Sequence, residues 1–344
     1  MKRSTIQRTK SAFCQMRHIN HLAVLTKTPA YQLQLMAIQP RYNCFGVPKK
    51  DGSRRLIEDP EPALKKVQRR LNHLLQCVYF FYRSDAAYGF LMNPKNDPEP
   101  RNILTNAERH LGCQWLFNAD IEDFFHQVEA TQILQLFTAP PFALPENLAT
   151  LLTKLTTFKG RLPMGAPTSP ILSNFGSIEM DRDLTDLAQW EGWTYTRYAD
   201  DMSFSAPKPF PDYYRQRITQ VVHAADYSFN QTKFKLMTPN DVKMVTGLVL
   251  QDKVALPEGF LTLLRDDLAR LKSIMEVQGR YGKRGKWIND FIEQTEGKLT
   301  FASFILGEMS QEALALSTAF HEALHPPIDD FGTLSWLDFP YLRK

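Results

Sequence analysis

The chain has 344 residues, 43% hydrophobic and 23% charged, with a formal net charge of +4. It is long enough to bury a sizeable core in two or three subdomains, and too apolar for a disordered polyelectrolyte. Four dispersed cysteines, Cys14, Cys44, Cys77 and Cys113, form no Cys-x-x-Cys pair, which argues against a zinc site and a disulfide framework. The basic N-terminus (Lys2, Arg3, Arg8, Lys10) is not followed by the apolar core of a signal peptide, and no run is long and apolar enough to span a bilayer. A cytoplasmic protein with no membrane partner is expected. The modest positive charge is compatible with a nucleic-acid partner without demanding one.

In chain order, residues 1 to about 40 read as helical, anchored by Leu22, Leu25, Leu33, Leu35 and Met36, with Pro29 opening a second helix after Thr28. Strands around Phe45–Val47 and Arg55–Ile57 flank a Lys49-Lys50-Asp51-Gly52-Ser53 turn. Ala63 to Phe81 predicts a long helix with Leu64, Val67, Leu71, Leu74, Leu75 and Val78 on one stripe. Turn residues from Asn93 to Pro100 and from Thr138 to Pro145 break the chain. Trp115-Leu116-Phe117-Asn118-Ala119 is an apolar run of strand length that ends at Asp120. Farther on, the aromatic and β-branched Trp193–Tyr198 and the alternating Met202–Ser205, stopped by Pro207, predict a hairpin. Its tip is Ala199-Asp200-Asp201. From Pro257 onward the pattern is helical.

Adjacent carboxylates at a hairpin tip repel one another unless a cation sits there, and a divalent metal is the simplest candidate. Asp residues are also common in solvated turns, and Glu122 or Asp123 can cap a following helix. Asp120 adds a third carboxylate. If its strand lies beside the hairpin, three Asp side chains converge, and such a cluster can hold two Mg²⁺ ions roughly 3.5–4 Å apart for phosphoryl transfer.

These blocks resemble the palm of a reverse transcriptase: a strand ending in Asp120, then Leu162-Pro163-Met164-Gly165-Ala166-Pro167-Thr168-Ser169-Pro170, then Tyr198-Ala199-Asp200-Asp201 in a hairpin. Val47 to Ile57 is similar to the fingers motif, and Asn230 with Lys233 resembles the motif after the hairpin. Asn106-Ala107-Glu108-Arg109-His110 and Val245-Thr246-Gly247 resemble two blocks that mark bacterial retron reverse transcriptases. The resemblance covers residues from about 40 to 255, and a weaker likeness to the thumb helix of retron and intron enzymes follows at Gly297–Leu306.

It implies an α+β right-hand polymerase with fingers, a palm on an antiparallel sheet and a helical thumb. The expected boundaries are 1–94 for N-terminal helices and fingers, 95–129 for the first part of the palm, 130–162 for a fingers insertion, 163–255 for the second part of the palm and 256–344 for an RNA-binding thumb. Catalysis is expected from Asp120, Asp200 and Asp201, which bind two Mg²⁺ ions (Mn²⁺ being the alternative) with the Ile121 carbonyl. Deoxynucleoside triphosphate contacts fall to Lys49, Lys50, Arg54, Arg55, Phe125, Met164, Gly165 and Lys233. Arg54 and Arg55 should face opposite sides of their strand, so one of them touches substrate. Phe125 would lie under the sugar and select deoxynucleotides. Met164 departs from the family, where most relatives place Gln; nucleotide affinity or fidelity is affected, and the metal chemistry is not.

RNA binding is assigned to Asn106, His110, Val245, Thr246 and Gly247, and to Arg280, Lys283, Arg284 and Lys286 in a stretch of basic residues, aromatics and glycines. The resemblance further implies a structured noncoding RNA template, priming from a guanosine 2′-hydroxyl, branched single-stranded DNA product, a retron effector protein and an antiphage role. A host ribonuclease H is expected as a partner, because little chain follows the thumb. The rival expectations are a reverse transcriptase of a group II intron or diversity-generating element, and a non-catalytic RNA-binding scaffold.

Overall fold

Three helices open the chain where the sequence suggested two: α1 (Arg3–Cys14), α2 (Ile19–Thr26) and α3 (Ala30–Ile38). The structure is a computed structural model that describes residues 1–49, 52–95, 97–278 and 285–325. Lys50, Arg280, Lys283 and Arg284 therefore lie outside the described residues. Lys27 ends α2 in a left-handed conformation (φ 47°), and Pro29 stands at the N-cap of α3. Leu22 and Leu33 are buried as expected, whereas Leu35 is 63% exposed. It falls on the solvent side of so short a helix.

The chain divides into two compact units, Met1–Thr246 and Gly247–Lys344. In the first, β1 (Tyr42–Pro48) and β2 (Arg54–Pro60) pair along their whole length, from Tyr42 opposite Pro60 to Pro48 opposite Arg54. Helix α4 (Pro62–Tyr79) begins with proline in its first turn, where the missing N–H costs nothing, and buries the predicted leucine and valine stripe. Helix α5 (Ile103–Glu108) starts in a capping box between Asn102 and Thr105.

The centre of the unit is a four-stranded antiparallel sheet in the order β4-β5-β3-β6, built from β3 (Trp115–Asp120), β4 (Thr194–Tyr198), β5 (Asp201–Ala206) and β6 (Lys235–Met237). Alternation assigns its faces. Tyr195, Phe204 and Phe117 share one face by register, and the Tyr195 and Phe204 rings stack at 4.7 Å. Thr196, Ser203, Ser205, Asn118 and Asp120 lie on the other. Helices α6 (Ala130–Thr138), α7 (Glu146–Thr156), α8 (Ser169–Gly176), α9 (Ile178–Glu191) and α10 (Tyr214–Ala224) fill out the core. A short β7 (Met244–Val245) closes the unit.

No helix follows Asp120. Residues 122–127 form a run of turns, with Asp123 at φ 41°, a value outside the right-handed helical region. The second unit holds the hairpin β8 (Leu248–Leu250) and β9 (Val254–Ala255) and three helices, α11 (Phe260–Gln278), α12 (Lys286–Leu306) and α13 (Gln311–Leu324). Leu264, Leu268, Leu299, Ala302 and Leu316 form its core. The α+β class, with an antiparallel sheet backed by helices and a separate helical unit, is that of the expected polymerase. No described helix is long and apolar enough to cross a membrane.

Candidate active site

Strand register brings the carboxylates together. Asp120, the last residue of β3, lies directly opposite Asp201, the first residue of β5. The turn between β4 and β5 sets Asp200 beside them, and the Ile121 N–H donates to the Asp200 carbonyl at 3.0 Å. Asp120 is thus tied to the hairpin tip through both strand pairing and the next residue along.

The chain after the hairpin returns to the same point. The Asn230 N–H donates to the Asp120 carbonyl at 2.9 Å, and the Asn230 side chain caps a 3-10 turn, Gln231–Lys233. That turn aims Lys233, whose Nζ is 2.6 Å from Asp120 Oδ1. Lys233 was expected near nucleotide; here its ammonium sits on the carboxylate as a counter-cation.

Charge crowding perturbs the whole group. Burial, then the charges of Asp200 and Asp120 and a hydrogen bond shared with Asp120, push the Asp201 carboxyl up to about 7. Asp200 is raised by burial and by Asp120, against the opposing charges of Lys233 and Arg55. Burial works against the charged form of Lys233, but the hydrogen bond and charge of Asp120 outweigh it and hold the ammonium above its ordinary value. Repelling carboxylates drawn toward protonation are a donor set that suits hard divalent cations. As they stand, no three Asp, Glu, His or Cys side chains among the described residues are placed so that they could hold a metal ion. The carboxylates fit Mg²⁺ in chemistry, and Asp120, Asp200 and Asp201 are the residues that would hold it.

The fingers hairpin contributes cations. Lys49, Arg54 and Arg55 are all exposed, and Gly52 turns the chain at φ 82°. Arg54 lies across its own hairpin, within 3.3 Å of where a Cβ on Gly46 would be, while the charge of Arg55 is felt at Asp200. Of the pair, Arg55 is the one whose charge acts on Asp200. Gly165 (φ 128°) has its backbone pressed on β2, since a Cβ there would lie 3.0 Å from the Glu58 carbonyl; Met164 is half-buried and its carbonyl accepts from the Glu58 N–H at 2.7 Å. The close approach at Gly165 is therefore to protein backbone. Phe124 is buried and Phe125 half-buried against Phe90, so one of the two neighbouring rings is in the core and the other packs partly exposed against it.

The residues assigned to RNA are distributed differently. Asn106 and His110 are each 1% exposed. His110 is neutral, pushed down to about 3 by burial and then Arg109, and its ring nitrogens reach Ser205 Oγ and Thr196 Oγ1, both at 2.7 Å. The His110 ring is held beneath the polar face of the sheet, whereas Asn106 Oδ1 is buried without a hydrogen-bond partner; neither side chain is exposed to solvent in this structure. Val245 is fully buried, Thr246 (φ 48°) is half-buried, and Gly247 (φ 81°) and Lys286 are exposed.

Residues 47–254 match the family described as reverse transcriptase (RNA-dependent DNA polymerase). The chain belongs to the reverse transcriptase family. Among curated relatives, Retron Mx162 reverse transcriptase of Myxococcus xanthus is 31% identical over 291 residues, covering 76% of this chain and 57% of the relative. Retron Mx65 reverse transcriptase of the same organism is 30% identical over 258 residues, 70% of this chain and 56% of the relative. Retron Ec86 reverse transcriptase of Escherichia coli is 29% identical over 256 residues, 70% and 74% of the two chains. The chain thus spans a little over half the length of the two Myxococcus relatives.

Two buried networks around the site belong to no sequence motif. Glu58, fully buried, takes a bidentate pair from Arg161 (2.8 and 3.2 Å) with His126 at 3.5 Å, fastening β2 to the segments on either side of α6 and α7. Behind the hairpin, Arg197 pairs with Asp181. The available signal was Arg197 itself, a charge on the core-facing alternation of a strand, which calls for a buried partner.

Proposed function

We propose that this chain is an RNA-directed DNA polymerase of retron type. The observation that carries it is the register that sets Asp120 opposite Asp201 with Asp200 adjacent, under the charges of Lys233 and Arg55. Two Mg²⁺ ions held by Asp120, Asp200 and Asp201, with the Ile121 carbonyl, would activate a primer hydroxyl and stabilise the leaving pyrophosphate. Lys49, Lys50, Arg54 and Arg55 neutralise triphosphate, with Arg55 foremost, and Lys233 serves nucleotide binding from its place beside Asp120. Phe125 lies under the sugar, and Met164 and Gly165 border the nascent pair. Fingers are assigned to residues 1–94 and 130–162, palm to 95–129 and 163–255, and thumb to 256–344.

On its resemblance to retron enzymes, the chain takes a structured noncoding RNA as template, starts from a guanosine 2′-hydroxyl and leaves single-stranded DNA branched to the RNA. Val245 to Gly247, Arg280, Lys283, Arg284 and Lys286 serve RNA recognition. An effector protein, a host ribonuclease H and an antiphage role complete this reading.

Expression with the flanking genomic region tests it. A copurifying species sensitive to both RNase and DNase, and absent from Asp200→Ala, is expected. RNA alone, unchanged by that substitution, would favour a non-catalytic scaffold.

A further inference from the structure

The tip that carries Asp200 and Asp201 is held from behind by groups that have no part in the chemistry above. We propose, resting on the polymerase reading, that Arg197 is a positioning residue: its guanidinium fixes the Ala199 carbonyl, and with it the backbone from which both carboxylates project.

Arg197 is fully buried. Its Nε donates to Asp181 Oδ1 at 2.8 Å and its Nη2 to Asp181 Oδ2 at 2.7 Å, while the Tyr195 hydroxyl donates to the same carboxylate at 3.0 Å. The remaining nitrogen, Nη1, donates outside this pair, to Asn174 Oδ1 at 3.1 Å and to the Ala199 carbonyl at 2.9 Å. Asn174 in turn donates to the Gly89 carbonyl at 3.0 Å. The main chain of Arg197 is anchored as well, its N–H to the Ala86 carbonyl (2.7 Å) and its carbonyl from the Tyr88 N–H (2.8 Å).

A buried ion pair is a weak way to stabilise a core, because apolar residues of similar volume often serve as well. What an apolar pair cannot do is direct an N–H at a chosen carbonyl. Ala199 needs that restraint: it sits at φ 60°, a left-handed conformation unfavourable for a residue with a Cβ, immediately before Asp200. Gly89 packs against the preceding peptide, where an added Cβ would come within 2.5 Å of the Ala199 nitrogen. The tip is thus held at two successive peptides, by a glycine backbone against 198–199 and by a guanidinium on the Ala199 carbonyl. Lysine cannot replace the arginine, since one ammonium lacks the fork that reaches Asp181, Asn174 and Ala199 together.

The test is the paired variant Arg197→Met with Asp181→Leu, which removes both buried charges. Single-turnover deoxynucleotide incorporation on a primed RNA template is measured with primer–template affinity and thermal melting, beside wild type and Asp200→Ala. The expected result is a folded protein with wild-type primer–template affinity and a rate at saturating nucleotide about 100-fold lower, the cost of misplacing reacting groups by about 1 Å. Adding Ala199→Gly should restore about tenfold of that loss, because glycine adopts positive φ without a Cβ penalty. A folded paired variant with wild-type rate, or no rescue by glycine, overturns the proposal. If the paired variant does not fold, Arg197→Lys is read the same way, and failure of both to fold assigns Arg197 to stability alone and also overturns it. An inactive wild type refutes the polymerase reading itself, and the positioning role falls with it.

Discussion

Replacing Gly89 by Ala adds one carbon where there is no space for it. The new Cβ would lie 2.5 Å from the Ala199 nitrogen, 3.1 Å from the Tyr198 carbonyl carbon and 3.4 Å from the Ala199 Cα. All three are main-chain atoms, so no side chain can swing aside. Ordinary contact begins near 3.4 Å, so about 0.9 Å must come from moving the hairpin tip or the 86–89 segment. Overpacking of this kind costs about 1–3 kcal/mol. Against a typical stability of roughly 5–15 kcal/mol, Gly89→Ala remains folded. A shift near 1 Å at the carboxylates lowers the rate about 100-fold, far more than the folded fraction does. Urea unfolding gives the first quantity and single-turnover incorporation the second. A variant as stable and as fast as wild type would refute the packing of the tip on residue 89.

Asp201 has a native pKa of about 7, above the ordinary 3.8, so the folded state binds the extra proton between these values. Its contribution to metal-free stability is full below about pH 4 and lost as pH rises through about 7. Melting temperature without metal should fall over that window, Mg²⁺ should restore it at pH 8, and Asp201→Asn should flatten both responses. Arg161→Met strands the buried Glu58 charge and should cost about 3–5 kcal/mol by denaturant titration, with Glu58→Gln in the same background recovering part of it. His110→Ala removes two buried hydrogen bonds and leaves Ser205 and Thr196 unpaired, for a loss of about 2–4 kcal/mol. RNA affinity of the folded His110→Ala fraction, measured by filter binding, should equal that of wild type.

The strands that carry the carboxylates were legible because their information is local. Trp115–Ala119 is an apolar run and the hairpin arms are aromatic, β-branched or alternating, and the observed strands lie within one residue of the expected ends. The long α4 stripe was readable for the same reason. Where the sequence misled, a tertiary or backbone term decided. Helical geometry was expected after Asp120, but Asp123 takes a positive φ and the chain turns. The Asn106–His110 block was assigned to RNA on its resemblance to retron enzymes, and the burial of His110 against Ser205 and Thr196, some 90 residues away on the sheet, could not be read from it. The Arg197–Asp181–Asn174 and Glu58–Arg161–His126 networks join elements far apart in sequence, and no spacing rule reveals such partners. The contact of Lys233 with Asp120 spans 113 positions and became visible with the fold.

Extension of a DNA primer on an RNA template by the purified chain, with Mg²⁺ and all four deoxynucleotides, tests the central claim most directly when Asp200→Ala is run beside it. RNA-templated product from wild type, abolished by chelation and by Asp200→Ala at unchanged melting temperature, is predicted. Equal product from the two proteins, or none from wild type with its metal-induced stabilisation intact, would contradict it.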